Sequence, residues 1–423
     1  MTVDIKGWTD LDRRVWSFVL FFGASFLYAT RAILPISIAM ISHENDWNKS
    51  TSGAILSSFF WGYAITQLFA GSLADRLGGE RLLFASSIVW IVLTILTPFI
   101  FDLSQWTGSP LPFLIILRVI TGVSQGFFMP SMASICSRNL CSLDKSRTFG
   151  LCLGGTHVGV VIAGAIGTSI LNSYGWRTLF HFMGAISLVW LFIFHSVMSS
   201  SLEKKKKSSI HLPLLLSSEK ALEVPWGTLL KHPSFWAAGI AHYTGTNAYF
   251  MIFNWAPTFF QDVYPDADGQ LYNVLPAIAI VITSISAPFI SSFIHSQGIS
   301  LTRTRKIVEI GSLVVVAILL TLISPLASFP STLITIILAM AGKGLSNGGV
   351  CVNPHDFAPN HTGAVFGIFN SFGAITGFIG VFVAGHILES TYNDWTAVFQ
   401  LTAAQCLLGA IVYGALGTAQ PII

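Results

Sequence analysis

The chain has 423 residues, of which 10% are charged and 53% hydrophobic, with a mean hydropathy of +0.69. Its 22 Lys and Arg and 19 Asp and Glu fall far below the roughly hundred charged side chains that an average soluble protein of this length carries, which excludes a soluble globular enzyme. The 13% aromatic content excludes a disordered or collagen-like chain, and at about 20 apolar residues per crossing the length admits about twelve membrane spans and no large extramembrane domain.

In chain order, apolar runs between breakers predict spans at 16–42, 51–74, 82–102, 112–136, 148–171, 177–198, 234–260, 271–295, 307–327, 332–350, 363–388 and 395–417. The fold class expected is an all-α membrane protein of twelve helices. Residues 1–15 form a polar N-terminus that leads into a long apolar run, so the first span is expected to act as its own targeting signal. A polar stretch at 199–233, with the basic run Lys204 to Lys207, separates a six-helix bundle at 16–198 from a second at 234–417, and 418–423 form the C-terminus. The five cysteines (Cys136, Cys141, Cys152, Cys351, Cys406) are odd in number and lack metal-type spacing, which predicts packing thiols.

Basic loops stay on the cytosolic side, and 17 Lys and Arg fall on the face that holds both termini, against Lys49 and Arg177 on the other. The termini are therefore expected to be cytosolic. The opposite face carries acids and the sequon Asn48-Lys49-Ser50, a glycosylation site if that loop meets a secretory lumen; the sequon at Asn360 falls on the cytosolic side and should be silent. Phe149-Gly150 with Ile170-Leu171 recurs as Phe366-Gly367 with Ile387-Leu388 at an offset of 217 residues. A shift by six spans keeps the chain direction, so the halves should be parallel repeats about an axis normal to the membrane, with a cleft between them. That arrangement favours a secondary transporter over a channel.

Between spans two and three the chain reads Gly71-Ser72-Leu73-Ala74-Asp75-Arg76-Leu77-Gly78-Gly79-Glu80-Arg81. This loop resembles the hallmark motif of the major facilitator superfamily, in which Asp75, Arg76 and Arg81 are expected to form a latch that breaks and re-forms during transport. Asp144 and Arg147, after span four, resemble a second gating motif. The corresponding loop between spans eight and nine, 291–306, has no acidic residue, so a degenerate latch is expected there.

Within the spans only Arg31, Arg118 and Lys343 are basic, and no acid is placed at mid-membrane, since Glu309 lies within a turn of the basic loop. A buried charge costs several kcal/mol unless paired or hydrated, so unpaired cations in a cleft imply an anionic substrate. Arg31 and Arg118 should lie at similar depth, about 15 Å and about 9 Å from the ends of their spans. Gly122, Gln125 and Met129 share the Arg118 face, and Tyr28 stands one turn from Arg31. Arginine suits carboxylate or phosphate because its planar fork binds them bidentately and stays charged; the structural alternative is that both arginines satisfy carbonyls at helix breaks. In span seven Tyr243, Asn247, Tyr249, Phe250, Asn254 and Trp255 are available to line the cleft, while His157 reads first as a packing residue. There is no Walker loop, metal-spaced His/Cys set or nucleophile elbow, so neither an enzyme nor a resident cofactor or metal is expected.

Three further segments resemble solute carrier family seventeen, the organic anion transporters, over nearly the whole length. They are Ser57 to Gln67, Arg118 with Gly122, Gly126 and Pro130, and Val352 to Pro359. Gln125, Pro225-Trp226 and Pro257 to Phe260 are most similar to the nucleotide-carrying branch. The resemblance implies potential-driven loading of ATP, ADP or GTP into secretory or synaptic-type vesicles or lysosomes, dependence on a vesicular proton pump, chloride as modulator, and a monomer. Arg31 and Arg118 match its anion-binding arginines, and the residues add Tyr28, Gln125, Tyr249, Asn247 and Lys343 as substrate-binding candidates, with the span-seven aromatics meeting the base; proton-coupled members carry Glu where Gln125 stands. Lys343 is not a family hallmark. Transport of another organic anion or phosphate, or anion sensing without transport, remain the alternatives.

Overall fold

The computed structural model describes residues 8–67, 69–140, 142–209, 224–323, 328–359 and 361–423, less the side chains at 142–147, 149–150, 204–209 and 362–364. Sixteen α-helices are described: α1 (Asp10–Glu44), α2 (Lys49–Gln67), α3 (Ala70–Leu77), α4 (Gly79–Gln105), α5 (Pro110–Gly126), α6 (Phe128–Asn139), α7 (Ser142–Ile162), α8 (Thr168–Ser209), α9 (Trp226–Lys231), α10 (Pro233–Val263), α11 (Gly269–Ser296), α12 (Leu301–Ile323), α13 (Phe329–Gly344), α14 (Asn353–Phe357), α15 (Thr362–Ser390) and α16 (Trp395–Leu416). A π-helical turn, Ala163–Gly167, joins α7 to α8.

Among the described residues nine stretches are long and apolar enough to cross a membrane, and the bent pair α2 and α3 makes a tenth. One of the nine runs from Leu151 to Glu203 and is broken by Gly175, whose φ of 80° and ψ of 171° no helix permits, so it holds two of the expected spans. The 31-residue α10 is absent from that set because His242, Asn247, Asn254 and Trp255 lower its hydropathy. These segments are compatible with twelve crossings. The expected spans two, four and ten are each divided, into α2 and α3, at Phe127, and by 3₁₀ turns at Leu345–Gly348 and Val350–Val352. Towards the central polar stretch, α8 runs on to Ser209, and α9 occupies part of it; residues 210–223, with Lys220, lie outside the description.

Helix ends follow local chemistry. Thr9 caps α1 in a capping box with Asp12, and Asp268 and Asp394 cap α11 and α16 through the amides of Gln270 and Thr396. The first half turns between its last two spans at Gly175; the second turns through Tyr392 and Asn393, both left-handed, into Asp394.

Helix pairing makes the repeat visible. In the first half α2 packs on α5, α1 on α7 and α8, and α4 on α5 and α8. The same pairs shifted by six spans occur in the second half: α11 on α13, α10 on α15 and α16, and α12 on α13 and α16. Between halves, α2 meets α15 as α7 meets α11, and α1 meets α10.

Candidate functional site

The site begins where three helices of the first half touch. A Cβ added at Gly62 would fall 2.1 Å from the Val119 carbonyl oxygen, and one at Gly122 would fall 1.9 Å from that of Phe59, so α2 and α5 meet backbone to backbone. That contact carries Phe59 and Tyr63 of α2 beneath the charges. The Arg31 guanidinium on α1 lies 4.4 Å from the Tyr28 ring centre, 4.5 Å from Phe59 and 4.9 Å from Tyr63; that of Arg118 lies 5.1 Å from Phe59. Two cations therefore share one ring, an arrangement that ring quadrupoles support in a desolvated site.

Arg31 is 3% exposed and Arg118 7%. Arg31 Nε donates to Gln125 Oε1 at 3.2 Å, and Gln125 Nε2 donates to Thr30 Oγ1 at 3.4 Å. Neither arginine forms an ion pair among the described residues, and the buried Nε of Arg118 has no hydrogen-bond partner. Gln125 supplies an acceptor without a charge, so net positive charge remains for an incoming anion. The expected similar depth of Arg31 and Arg118 and the shared face of Arg118 and Gln125 both appear in this geometry. Phe59, Tyr63 and Thr30 were not assigned from sequence, although Phe59 and Tyr63 stand four apart in the segment that carries the family resemblance.

The second half contributes unevenly. Tyr249 stacks on Phe253 at 5.8 Å and lies within electrostatic reach of Arg31 and Tyr28, while Phe250 contacts Phe60 at 4.7 Å across the halves. Asn247 is not brought to the arginines: its Nδ2 donates to Gln405 Oε1 at 2.6 Å, and its Oδ1 lies where a Cβ of Gly380 would be. Trp255 and Asn254 are occupied by backbone carbonyls of Val381 and Phe250. Lys343 packs along Gly245 and makes no ion pair among the described residues, with His157, His242 and Glu309 in its field. Glu309, close to the basic loop in span nine, is 0% exposed: α13 breaks into 3₁₀ turns, and the Val350 amide after the break donates to its Oε2. Sequence distance from a basic loop does not report which face of a helix points inward.

The gating residues are rearranged relative to expectation. Asp75 Oδ1 accepts from Ser134 Oγ at 2.8 Å, and Arg138 bonds the Asp75 carbonyl, whereas Arg76 and Arg81 are exposed with no ion pair among the described residues. Asp144 and Arg147 lie outside the described side chains. In the second half, where a degenerate latch is expected, an ion pair is present. Arg305 holds Asp356, 51 residues on, with Nε to Oδ2 at 3.0 Å, and its Nη1 donates to Ser291 Oγ and the Gly348 carbonyl. The acid comes from the short helix α14, which the local motif could not reveal.

The face opposite the termini is sealed between the halves. Lys49 Nζ meets Asp262 at 2.7 Å, Asn48 Nδ2 donates to Glu389 Oε1 at 2.7 Å, and Asn273 Nδ2 donates to Thr168 Oγ1 at 3.0 Å. The sequon residue Asn48 thus belongs to the seal in this conformation. Arg177 binds Asp102 through two nitrogens and Glu44 through a third; these bonds, Asp102 first, raise its pKa and keep it charged. Beyond Arg31 towards this face lies a cavity of about 50 Å³ lined by Ile36, Ile252 and Tyr272, whereas one of about 490 Å³ opens at the termini face beside Arg13 and Arg14. Removing the Lys49 charge should cost the seal about 1 kcal/mol, shifting the opposite-open population about fivefold. With the native cysteines replaced, Lys49→Ala should therefore raise labelling of Ile36→Cys by an impermeant maleimide from that face, and exchanging the charges of Lys49 and Asp262 should reverse the gain. Unchanged labelling would remove the pair from the seal.

A two-fold repeat of spanning helices, closed at one face and holding unpaired arginines at its centre, defines a membrane transporter rather than an enzyme. Residues 20–381 match the profile of the Major Facilitator Superfamily, and the chain belongs to that family, among its organic anion transporters. The human "voltage-gated purine nucleotide uniporter SLC17A9" is 30% identical over 98% of this chain and 94% of its own length. Two chloroplast proteins of Arabidopsis thaliana are also similar: "sodium-dependent phosphate transport protein 1" (29% identical, covering 100% of this chain and 82% of its own) and "ascorbate transporter" (28%, 98% and 77%). Among solved structures, a bacterial homologue of the human lysosomal transporter Spinster superposes with a TM-score of 0.75 at 13% identity, over 97% of this chain and 98% of its own. The xylose transporter XylE of E. coli gives 0.71 at 12%, over 95% of each. Both share the fold.

Proposed function

We propose that this transporter carries purine nucleotides (ATP, ADP, GTP) from the termini face to the opposite one, driven by membrane potential. The termini are cytosolic in this reading, and the far side is the lumen of a secretory vesicle or lysosome made positive by a proton pump. The observation that carries the proposal is the pair Arg31 and Arg118, buried without an acidic partner among the described residues, with only neutral Gln125 accepting from Arg31. Phosphates would bind the two guanidiniums bidentately, with Tyr28 and, from the second half, Tyr249 offering aromatic faces for the base. Each net negative charge moved gains about 2.3 kcal/mol per 100 mV, so a polyanion partly neutralised by the two arginines is pulled strongly. Chloride modulation and a monomeric carrier belong to the same proposal. Lys343 is a further anion-facing cation in the second half; Asn247 is assigned instead to packing.

The test is uptake by the purified protein in proteoliposomes under a clamped potential. ATP uptake should rise with an inside-positive potential and be competed by ADP and GTP; uptake that follows an imposed pH gradient and ignores potential would overturn it. A second reading, phosphate or another small organic anion, is favoured by the phosphate and ascorbate carriers among the relatives, and competition by inorganic phosphate but not ADP would select it.

A further inference from the structure

Phe60 of α2 is a first-half side chain seated in the second half. It is 1% exposed, and a Cβ built on Gly377 of α15 would fall 2.3 Å from its ring, so the ring rests on bare backbone that only glycine provides. The Phe250 ring of α10 closes one side of this socket at 4.7 Å. Next to it, Trp61 meets Phe378 of α15 at 5.6 Å.

Along α2 and α15 the contact between the halves runs from the far face to this level and ends there. Asn48 bonds Glu389 at the far end, and Gly53 follows against Gly385, where a Cβ on the first would lie 3.1 Å from the Cα of the second. Phe60 and Trp61 come next. On the termini side of Phe60 each helix turns to its own half: Thr66 and Gln67 donate to the Val123 and Gly126 carbonyls of α5, while Phe372 and Phe369 contact Trp236 and Phe235 of α10. Gly377 stands 15 residues after Thr362 and 13 before Ser390, about 20 Å from either end of α15, so the boundary falls at mid-span.

Two bodies that open first to one side and then to the other must keep a contact where the open and closed zones meet. The far-face seal is built from polar pairs, whose directional bonds can be exchanged for water and are suited to breaking. A phenyl ring on a glycine is held by dispersion alone, which it keeps while it turns. We infer that Phe60, seated on Gly377, is the pivot on which the two halves rock, and that it places the substrate site at the point of least movement. Phe59, the preceding residue, has its ring 5.2 Å from that of Phe60 and lies beneath both Arg31 and Arg118, so one site serves both faces. The inference rests on the halves opening in turn to carry an anion, and not on which anion is carried.

Cross-links at two depths on this helix pair separate a pivot from a gate. In the full chain in liposomes, with the native cysteines replaced and Ile36→Cys as the far-face reporter, Phe60→Cys with Gly377→Cys forms the central pair. The Phe60 Cγ position, where its sulfur would lie, is 2.5 Å from the Cβ at 377, within reach of a disulfide. Asn48→Cys with Glu389→Cys, bridged by a short bis-methanethiosulfonate, forms the far pair. An impermeant maleimide should label Ile36→Cys within about twofold of the uncross-linked rate when the central disulfide is closed, and about tenfold or more slowly when the far pair is bridged. Loss of labelling under the central disulfide would make Phe60 a gate and overturn the inference, as would failure of that disulfide to form. Gly377→Ala unseats the ring and should slow ATP uptake about tenfold, with most of the loss recovered by adding Phe60→Leu. Gly367→Ala on the same helix, where a Cβ meets nothing within 4 Å, is the control, and equal rates for the two alanine variants would also overturn it. If labelling follows the expected pattern while no form takes up ATP, the pivot stands and the nucleotide reading falls.

Discussion

Arg118→Ala is expected to lower potential-driven uptake by about 100-fold or more while leaving the folded transporter as heat-stable as the wild type. Arg118 stacks over Phe59, but its buried Nε bonds nothing, so the folded protein gains little from the charge. An unpaired buried cation is an electrostatic cost, and its removal can be neutral or stabilising. Under the proposed function, substrate completes the fork: two charge-assisted bonds to a phosphate are worth about 3 kcal/mol or more together, and each 1.4 kcal/mol is tenfold. Arg118→Lys keeps the charge and loses the bidentate geometry, so an intermediate loss of about tenfold is expected. Uptake rates and thermal midpoints measured on the same preparations separate the two roles. An uptake loss that merely tracks loss of folded protein would make Arg118 a structural residue.

Gly122→Val should be more damaging still, and for a different reason. The Cβ it introduces would lie 1.9 Å from the Phe59 carbonyl oxygen, with the Tyr63 amide at 3.0 Å, and both neighbours are backbone. Nothing flexible can yield, so either α2 and α5 separate or the protein does not assemble, at a cost of about 3 kcal/mol or more. Separation would carry Phe59 and Tyr63 away from Arg31 and Arg118 and abolish uptake. Gly154→Ala on α7 is the matched control: a Cβ there meets nothing within 4 Å, and the change should be neutral or stabilising by about 0.5–1 kcal/mol. Detergent-solubilised yield and melting temperature report the difference; a Gly122→Val protein with wild-type stability and uptake would show that the close approach of α2 and α5 does not position the site.

The order of the helices, the repeat and the scarcity of charge were legible in the sequence because a membrane imposes them locally. Each crossing must satisfy its own backbone and present apolar side chains, so every span writes its signature in consecutive residues. The same solvent rule exposed Arg31, Arg118 and Lys343, since a cation among apolar residues stands out before any contact is known. Helix periodicity placed Gln125 with Arg118, and the ring beneath both arginines was within reach, Phe59 and Tyr63 being one turn apart on α2.

What the sequence by itself determined about this protein is thus its solvent, its repeat and the sign of its substrate. Only the tertiary structure decided which groups are paired. Asp356 reaching Arg305 across 51 residues, Lys49 reaching Asp262 in the other half, Asn247 turned to Gln405, and Glu309 enclosed by the broken end of α13 all depend on long-range contacts. Pairing energies fall off within a few ångströms, and chain separation carries no information about such distances. The charge of a side chain is therefore readable from its identity, whereas its freedom to meet a substrate is a property of the assembled fold.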